Sequence, residues 1–261
     1  MPQTKIEPLD ADEIQSNLKT KRVGWKVFVF DSTTSTNDLA RRYVTDRNCD
    51  GLSFFAEEQT AGRGRGGNKW LSKRSESILC SIILIENNLN ADLLSLTCAV
   101  AVADAIGKPA KIKWPNDIMI NGKKGAGILL DAISCQNQNV YIIGIGINCH
   151  QRRESFPGEL LSTATSLDLE NNTMCDRNSL AKRLLCSMDY WIETAEKKHR
   201  KVIEHWRKLS IQLGHRVSLS FNGRRFSGNC TGIDPEKGLI LHLDTGSIRM
   251  FDAAHTTIIK N

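Results

Sequence analysis

The chain has 261 residues, 40% of them hydrophobic and 25% charged, with a net charge of +6 and an isoelectric point near 8.9. That composition describes an ordinary globular protein whose core needs no disulfide or metal, and no run is apolar for long enough to span a membrane. The positive excess is small and dispersed, so it favours anionic partners without indicating nucleic acid.

The opening MPQTKIEPLDADEI has no signal-peptide apolar centre and is too acidic for a transit peptide, so a cytoplasmic location is expected. Eight cysteines occur singly, with no C-x-x-C pair, so zinc and thioredoxin-type sites lack support. The pattern predicts a short helix over residues 11–18, a strand over 26–30, and a helix over 38–44 that Ser35, Thr36 or Asn37 can cap. Strands are predicted over 52–56 and 78–85, and a helix over 91–106 stopped by Gly107 and Pro109. Strands follow over 111–114, 117–120, 124–133 and 140–147, with Asn121-Gly122 marking a hairpin. Residues 151–177 read as irregular, and a helical pair is predicted over 179–196 and 202–209. The basic run Lys197–Lys201 reads as a solvated helical face or junction. After Gly214, short alternating runs between turns at Asn222-Gly223, Asp234-Pro235, Lys237-Gly238 and Thr245-Gly246 predict a small all-β module.

The run AEEQTAGRGRGGNKW, residues 56–70, is the most informative. Glycines give backbone freedom, while Arg63 and Arg65 give permanent charge in forks that fit phosphate or carboxylate. Gly62-x-Gly64-x-x-Gly67 also matches a dinucleotide fingerprint, but no helical period follows it, and no Gly-Lys-Ser/Thr makes it a P-loop. A surface hairpin decorated with charge is the plain alternative. Gln59 carries donor and acceptor together, as an amide or urea ring requires. Trp70 offers a face for an aromatic base, or simply packs in the core. In KWPND, Lys113, Asn116 and Asp117 crowd a turn stiffened by Pro115; Asp117 could hold a metal and Lys113 a phosphate, or the segment is a decorated turn. Lys124 leads into KKGAGILLD, where Gly127 lets a ligand approach, and IGIGIN sets Gly144 and Asn148 at the end of an apolar strand, suited to a purine edge. Cys149 beside His150 could suggest a thiol nucleophile, but strand neighbours face opposite ways.

In this order, Ser35-Thr36-Asn37, AEEQTAGRGRGG, KWPND, KKGAGILLD, IGIGIN, ATSL at 164–167 and DRNSLAKRLL resemble the biotin–protein ligase family, over the chain from about residue 12 onward. The resemblance implies an α+β fold. A mixed-sheet catalytic domain of the class II aminoacyl-tRNA-synthetase-like type would cover residues 1–212, and an SH3-like β-barrel residues 213–261. It implies a two-step reaction in which biotin and ATP give biotinyl-5′-AMP and pyrophosphate, and a lysine of a biotin carboxyl-carrier domain then takes the biotinyl group.

By the same resemblance, Ser35, Thr36, Asn37, Gln59, Arg63, Gly64, Lys124, Gly127 and Gly144 would form the biotin site. Arg65, Trp70, Asn116, Asp117, Lys124 and Asn148 would serve ATP, with Lys113 at the triphosphate and Mg2+ on Asp117. Two positions depart from the family pattern: Gly66 stands where many relatives carry a second basic residue, and Lys73 where they often carry proline. No helix-turn-helix precedes residue 25, so a ligase without a DNA partner is expected, as a monomer or homodimer. Two rival functions remain at this point: lipoate or octanoate attachment on a related fold, and a binder using the basic loop on a nucleotide or nucleic acid.

Overall fold

The structure is a computed structural model describing residues 6–46, 48–86, 88–135 and 138–259. Residues 1–5 of the N-terminal stretch, and Lys260 at the end of the last expected strand run, lie outside the described residues.

Seven apolar runs pair into one mixed sheet: β1 Val27–Phe30, β2 Ser53–Ala56, β3 Ser77–Ile85, β4 Ala110–Lys113, β5 Asp117–Ile120, β6 Lys123–Cys135 and β7 Gln138–Asn148. Their spatial order is β1-β2-β3-β7-β6-β5-β4. Only β1 and β2 run parallel; every other neighbouring pair is antiparallel. Asn121 and Gly122 both adopt positive φ, the conformation that a two-residue hairpin between β5 and β6 requires.

Helix α3, Ala91–Ile106, starts where the Asn90 side chain accepts the Leu93 N–H at 2.8 Å. It ends at Gly107, with φ 84°. It is buried nearly all round because it lies between the sheet and a longer helix, α5. Helix α5, Arg177–Leu209, consists of two helical stretches that meet at a kink at Lys198, φ −149° and ψ 55°, inside the basic run and between the two stretches of the expected pair. Its buried positions Leu180, Leu184, Met188, Trp191 and Ala195 recur at helical spacing and face α3. The first expected helix is shorter, α1 Ala11–Gln15, because Asn17 turns to φ 55°. The helix after Ser35 is α2 Thr36–Arg41, and residues 151–177 contain one short helix, α4 Leu167–Asn171, that the sequence reading lacked.

Glu57 and Arg177 tie these parts together from within. The Arg177 Nη1 donates to Glu57 Oε2 at 2.9 Å with both side chains almost fully buried, and Ser75 Oγ and the Leu9 N–H donate to the same carboxylate. Beyond α5, five antiparallel strands form a second sheet in the order β11-β10-β9-β8-β12: β8 Arg216–Phe221, β9 Arg224–Asp234, β10 Gly238–Leu243, β11 Ile248–Phe251 and β12 Thr256–Ile258. Gln212 clamps the approach to it. Its Oε1 accepts the Trp114 N–H at 2.6 Å, and its Nε2 donates to the Trp114 carbonyl at 3.2 Å.

Candidate functional site

One cleft of about 1440 Å³ runs between the first sheet and the second, and every site residue named from the sequence lines it. Its floor follows from the strand register. In one cross-strand row Leu79 pairs with Gly146, Gly146 with Gly127, and Gly127 with Asp117. In a parallel row two residues away, Ser81 pairs with Gly144 and Gly144 with Leu129. The rows are thus about 7 Å apart at 3.2–3.4 Å per residue.

The Ser81 row is an uncharged polar cage. Thr36 donates to Gln59 Oε1 from both its N–H (2.7 Å) and its hydroxyl (2.9 Å). Ser81 Oγ sits 2.8 Å from Thr36 Oγ1 and 2.6 Å from Asn37 Oδ1. Asn37 Nδ2 donates to Asp131 Oδ2 at 3.2 Å. The expectation that Ser35 caps a helix holds for its position, but its side chain makes no cap hydrogen bond. A Cβ at Gly144 would strike Asn37 Oδ1 and come within 3.0 Å of its amide carbon, so this glycine is required by the cage. Ser81 and Asp131 escaped the sequence reading. A lone hydroxyl inside SILCSIILI and a carboxylate closing KKGAGILLD are the signals that could have exposed them.

The Gly146 row is covered by an indole. Trp70 lies on Gly146 and Gly127: a Cβ at Gly146 would strike the ring, and one at Gly127 would come 3.1 Å from it. The Trp70 Nε1 is buried without a hydrogen-bond partner among the described residues. Lys124 Nζ stands 5.8 Å from the centre of the Trp70 ring and 2.5 Å from Asp117 Oδ1.

Lys124 reaches this face because β6 carries a bulge. Ile118 pairs with Ala126 but Met119 with Lys124, leaving Gly125 as the extra residue. On a regular strand Lys124 and Gly127 would face opposite ways; the bulge brings both to the cleft. A Cβ at Gly125 would meet Ile120 Cδ1 at 2.5 Å, so any larger residue there would have to displace the buried Ile120 side chain. Asn116 is held by Ile128 on both sides: its Nδ2 donates to the Ile128 carbonyl at 2.9 Å, and its own carbonyl accepts the Ile128 N–H at 3.0 Å. Lys113 ends β4 on the cleft wall.

The arginine loop is a hairpin. Arg63 bridges Lys69, the Trp70 N–H donates to the Gly62 carbonyl, and Gly66 and Gly67 take positive φ at the tip. The chain enters β3 after it with no intervening helix, which removes the dinucleotide reading. The two arginines point to different partners. Arg63 pairs with Asp38 at 2.6 Å and Asp131 at 3.4 Å, beside the polar cage. Arg65 crosses to the second sheet, donating to the carbonyls of Ala253, Ala254 (3.3 Å) and Thr256 (2.7 Å). Burial lowers the Arg65 pKa, while Asp117 and Asp252 act in the opposite sense. Gly64 lies on the cleft between the arginines.

Asn148 closes β7 with its Nδ2 donating to the Thr165 carbonyl at 2.9 Å. Cys149 is buried, and burial together with neighbouring Cys175 pushes its thiol well above the ordinary value. His150 turns instead to Asp168 at 2.8 Å, so neither residue forms a nucleophile pair. Among the described residues no three His, Cys, Asp or Glu side chains cluster as a metal site, and no helix is long and apolar enough to cross a membrane.

This arrangement, a polar uncharged pocket beside a cationic groove floored by glycine, fits a small polar acid held next to a phosphate ester. Residues 29–148 match the biotin/lipoate A/B protein ligase family. The chain is 32% identical to the bifunctional ligase/repressor BirA of Bacillus spizizenii, over 94% of this chain and 78% of that protein. It is likewise 32% identical to the biotin–[acetyl-CoA-carboxylase] ligase of Mycobacterium tuberculosis, over 90% of each. Its fold superposes with a TM-score of 0.79 on the biotin protein ligase of Aquifex aeolicus in complex with biotin and ATP, at 23% identity, covering 91% of this chain and all of that one. The chain therefore belongs to the biotin/lipoate A/B protein ligase family, among the biotin protein ligases.

Proposed function

We propose that this chain activates biotin with ATP to biotinyl-5′-AMP and passes the biotinyl group to a lysine of a carboxylase's biotin carboxyl-carrier domain. The observation that carries this reading is the placement of the Lys124 ammonium beside Gly127 and Trp70, at the glycine row that adjoins the polar cage. There one ammonium would neutralise both reactants, the biotin carboxylate and the α-phosphate, in reacting distance.

In the first step a carboxylate oxygen would attack the α-phosphorus and pyrophosphate would leave. In the second, an acceptor lysine amine would attack the acyl carbon, form the amide, lose a proton and expel AMP. Thr36, Asn37 and Gln59, with Ser35 at the edge, would take biotin's ureido ring, and Gly144 leaves that ring room. Arg63 and Gly64 would close over it, Gly127 would admit the ligand chain, and Arg65 would move onto the adenylate phosphate, keeping water away as lids do. Trp70 would pack against the adenine and Asn148 would read its edge. Lys113 and Asn116 would serve the triphosphate and the approaching amine.

Asp117 is a single carboxylate beside the groove, which suits a Mg2+ that arrives on the triphosphate and keeps most ligands from phosphate and water. When bound, that ion would screen phosphate charge. Residues 1–212 and 213–261 are read as a catalytic unit and a barrel whose lip completes the cleft. A cytoplasmic site of action is supported by eight cysteines that are all free thiols.

The test is to incubate the purified chain with Mg-ATP and a carrier domain, and to follow pyrophosphate release and carrier mass. Biotin, but not lipoate, is expected to give both signals. Pyrophosphate with lipoate alone would reassign the substrate, and none with either acid would remove the ligase reading.

A further inference from the structure

Gln151 is 3% exposed, lines the cleft, and was given no role above. Its Nε2 donates to Ser77 Oγ at 2.6 Å and to Asn148 Oδ1 at 3.3 Å, while its Oε1 is buried with no hydrogen-bond partner among the described residues. Ser77 and Asn148 are cross-strand partners on β3 and β7.

The orientation of these amides follows from their neighbours. The Thr165 carbonyl can only accept, so the nitrogen of Asn148 must face it. Asn148 Oδ1 then faces Gln151 and needs a donor, so Gln151 must present its nitrogen there. Gln151 satisfies Asn148 and Ser77 and leaves its own oxygen unpaired. A buried acceptor left bare is unfavourable, and here it accompanies a neighbour that is fixed.

Once fixed, Asn148 keeps one N–H and one oxygen lone pair uncommitted, in a known order. That pair matches a 6-aminopurine, whose N7 accepts and whose N6 donates. A 6-oxopurine offers two acceptors at the same edge, and the fixed Oδ1 would face its O6. Resting on the reading that Asn148 meets the base, we infer that Gln151 is a positioning residue that locks the Asn148 amide and thereby selects a 6-aminopurine nucleotide over a 6-oxopurine one.

The test compares ATP with ITP, first as dissociation constants measured by calorimetry with biotin present, then as kcat/KM for pyrophosphate release. The wild-type chain is expected to favour ATP. Gln151→Leu, and the near-isosteric Gln151→Glu, whose carboxylate cannot donate, should each cut the ATP:ITP preference about tenfold, through KM rather than kcat. Biotin affinity should stay unchanged, which a general collapse of the cleft would not allow. Equal wild-type binding of ATP and ITP, or an unaltered ratio in whichever variant folds, overturns the inference. Nucleotide binding with the expected ratios but no pyrophosphate from biotin supports it while removing the ligase reading.

Discussion

Lys124 Nζ lies 2.5 Å from Asp117 Oδ1, both side chains being half-buried on neighbouring strands at the cleft floor. The carboxylate holds the ammonium over the floor glycines before any ligand arrives, and its negative charge must be shared or displaced when phosphate enters. Lys124→Ala is therefore expected to slow biotinyl-AMP formation more than it weakens biotin binding. A charge-assisted contact is worth about 1.5–3 kcal/mol, so the single-turnover rate should fall by roughly ten- to a hundredfold. Equal losses in rate and in biotin affinity would reassign Lys124 to ground-state binding.

In the proposed reaction Arg65 would serve two places in turn. Its guanidinium now rests on three carbonyls of the second sheet. Arg65→Ala should leave adenylate formation measurable but let biotinyl-AMP escape, with dissociation faster by about ten- to a hundredfold. A filter-retention assay on the isolated intermediate reads this directly, and unchanged retention would falsify the loop's role as a cover.

Gly144→Ala tests the polar cage without touching a charged group. The new methyl would press on the Asn37 amide, and overpacking of this kind costs about 1–3 kcal/mol. Biotin affinity should drop at least tenfold while nucleotide binding persists, because Asn37 must shift and take its bonds to Ser81 and Asp131 with it. Retained biotin affinity would place the ureido ring elsewhere.

The Glu57–Arg177 pair predicts an acid limb. Burial alone would raise the Glu57 pKa, but Arg177, the Leu9 N–H and Ser75 outweigh it and hold the carboxyl below its ordinary 4.5. A carboxylate depressed by folding contributes stability that is fully present above its unfolded pKa and is lost as pH falls through the folded one. Melting temperature should therefore decline below about pH 4.5. Glu57→Gln should cost about 3–5 kcal/mol at neutral pH, since it strands a buried guanidinium, and should flatten the acid limb. An acid limb of unaltered steepness in that variant would trace the effect to other carboxylates.

Much of this was legible in the chain. The strands, the α3 boundaries and the glycine hairpins follow from apolar runs and turn residues whose local chemistry leaves few options. The site residues converge as their motifs implied. Three things were not legible. The place where α5 kinks, Lys198, falls inside an exposed basic run in which no single residue marks the break. Ser81 and Asp131 act through partners 44 and 94 residues away, a distance no local pattern spans. The destination of Arg65, 188 residues along the chain at Ala253, is set by how the second sheet meets the first.

The extra residue in β6 fixes a parity. Counting from Gly127 back to Lys124 gives an odd step, and only Gly125 makes that step land on the same side of the sheet. Pairing Gly125 in register instead of bulging it out would keep every reactive group in the polypeptide and restore an uninterrupted ladder, yet it would turn the ammonium to the opposite face of the strand and leave Gly127 and Asp117 without the cation beside them. A backbone irregularity one residue long thus decides whether the same list of side chains amounts to a catalyst.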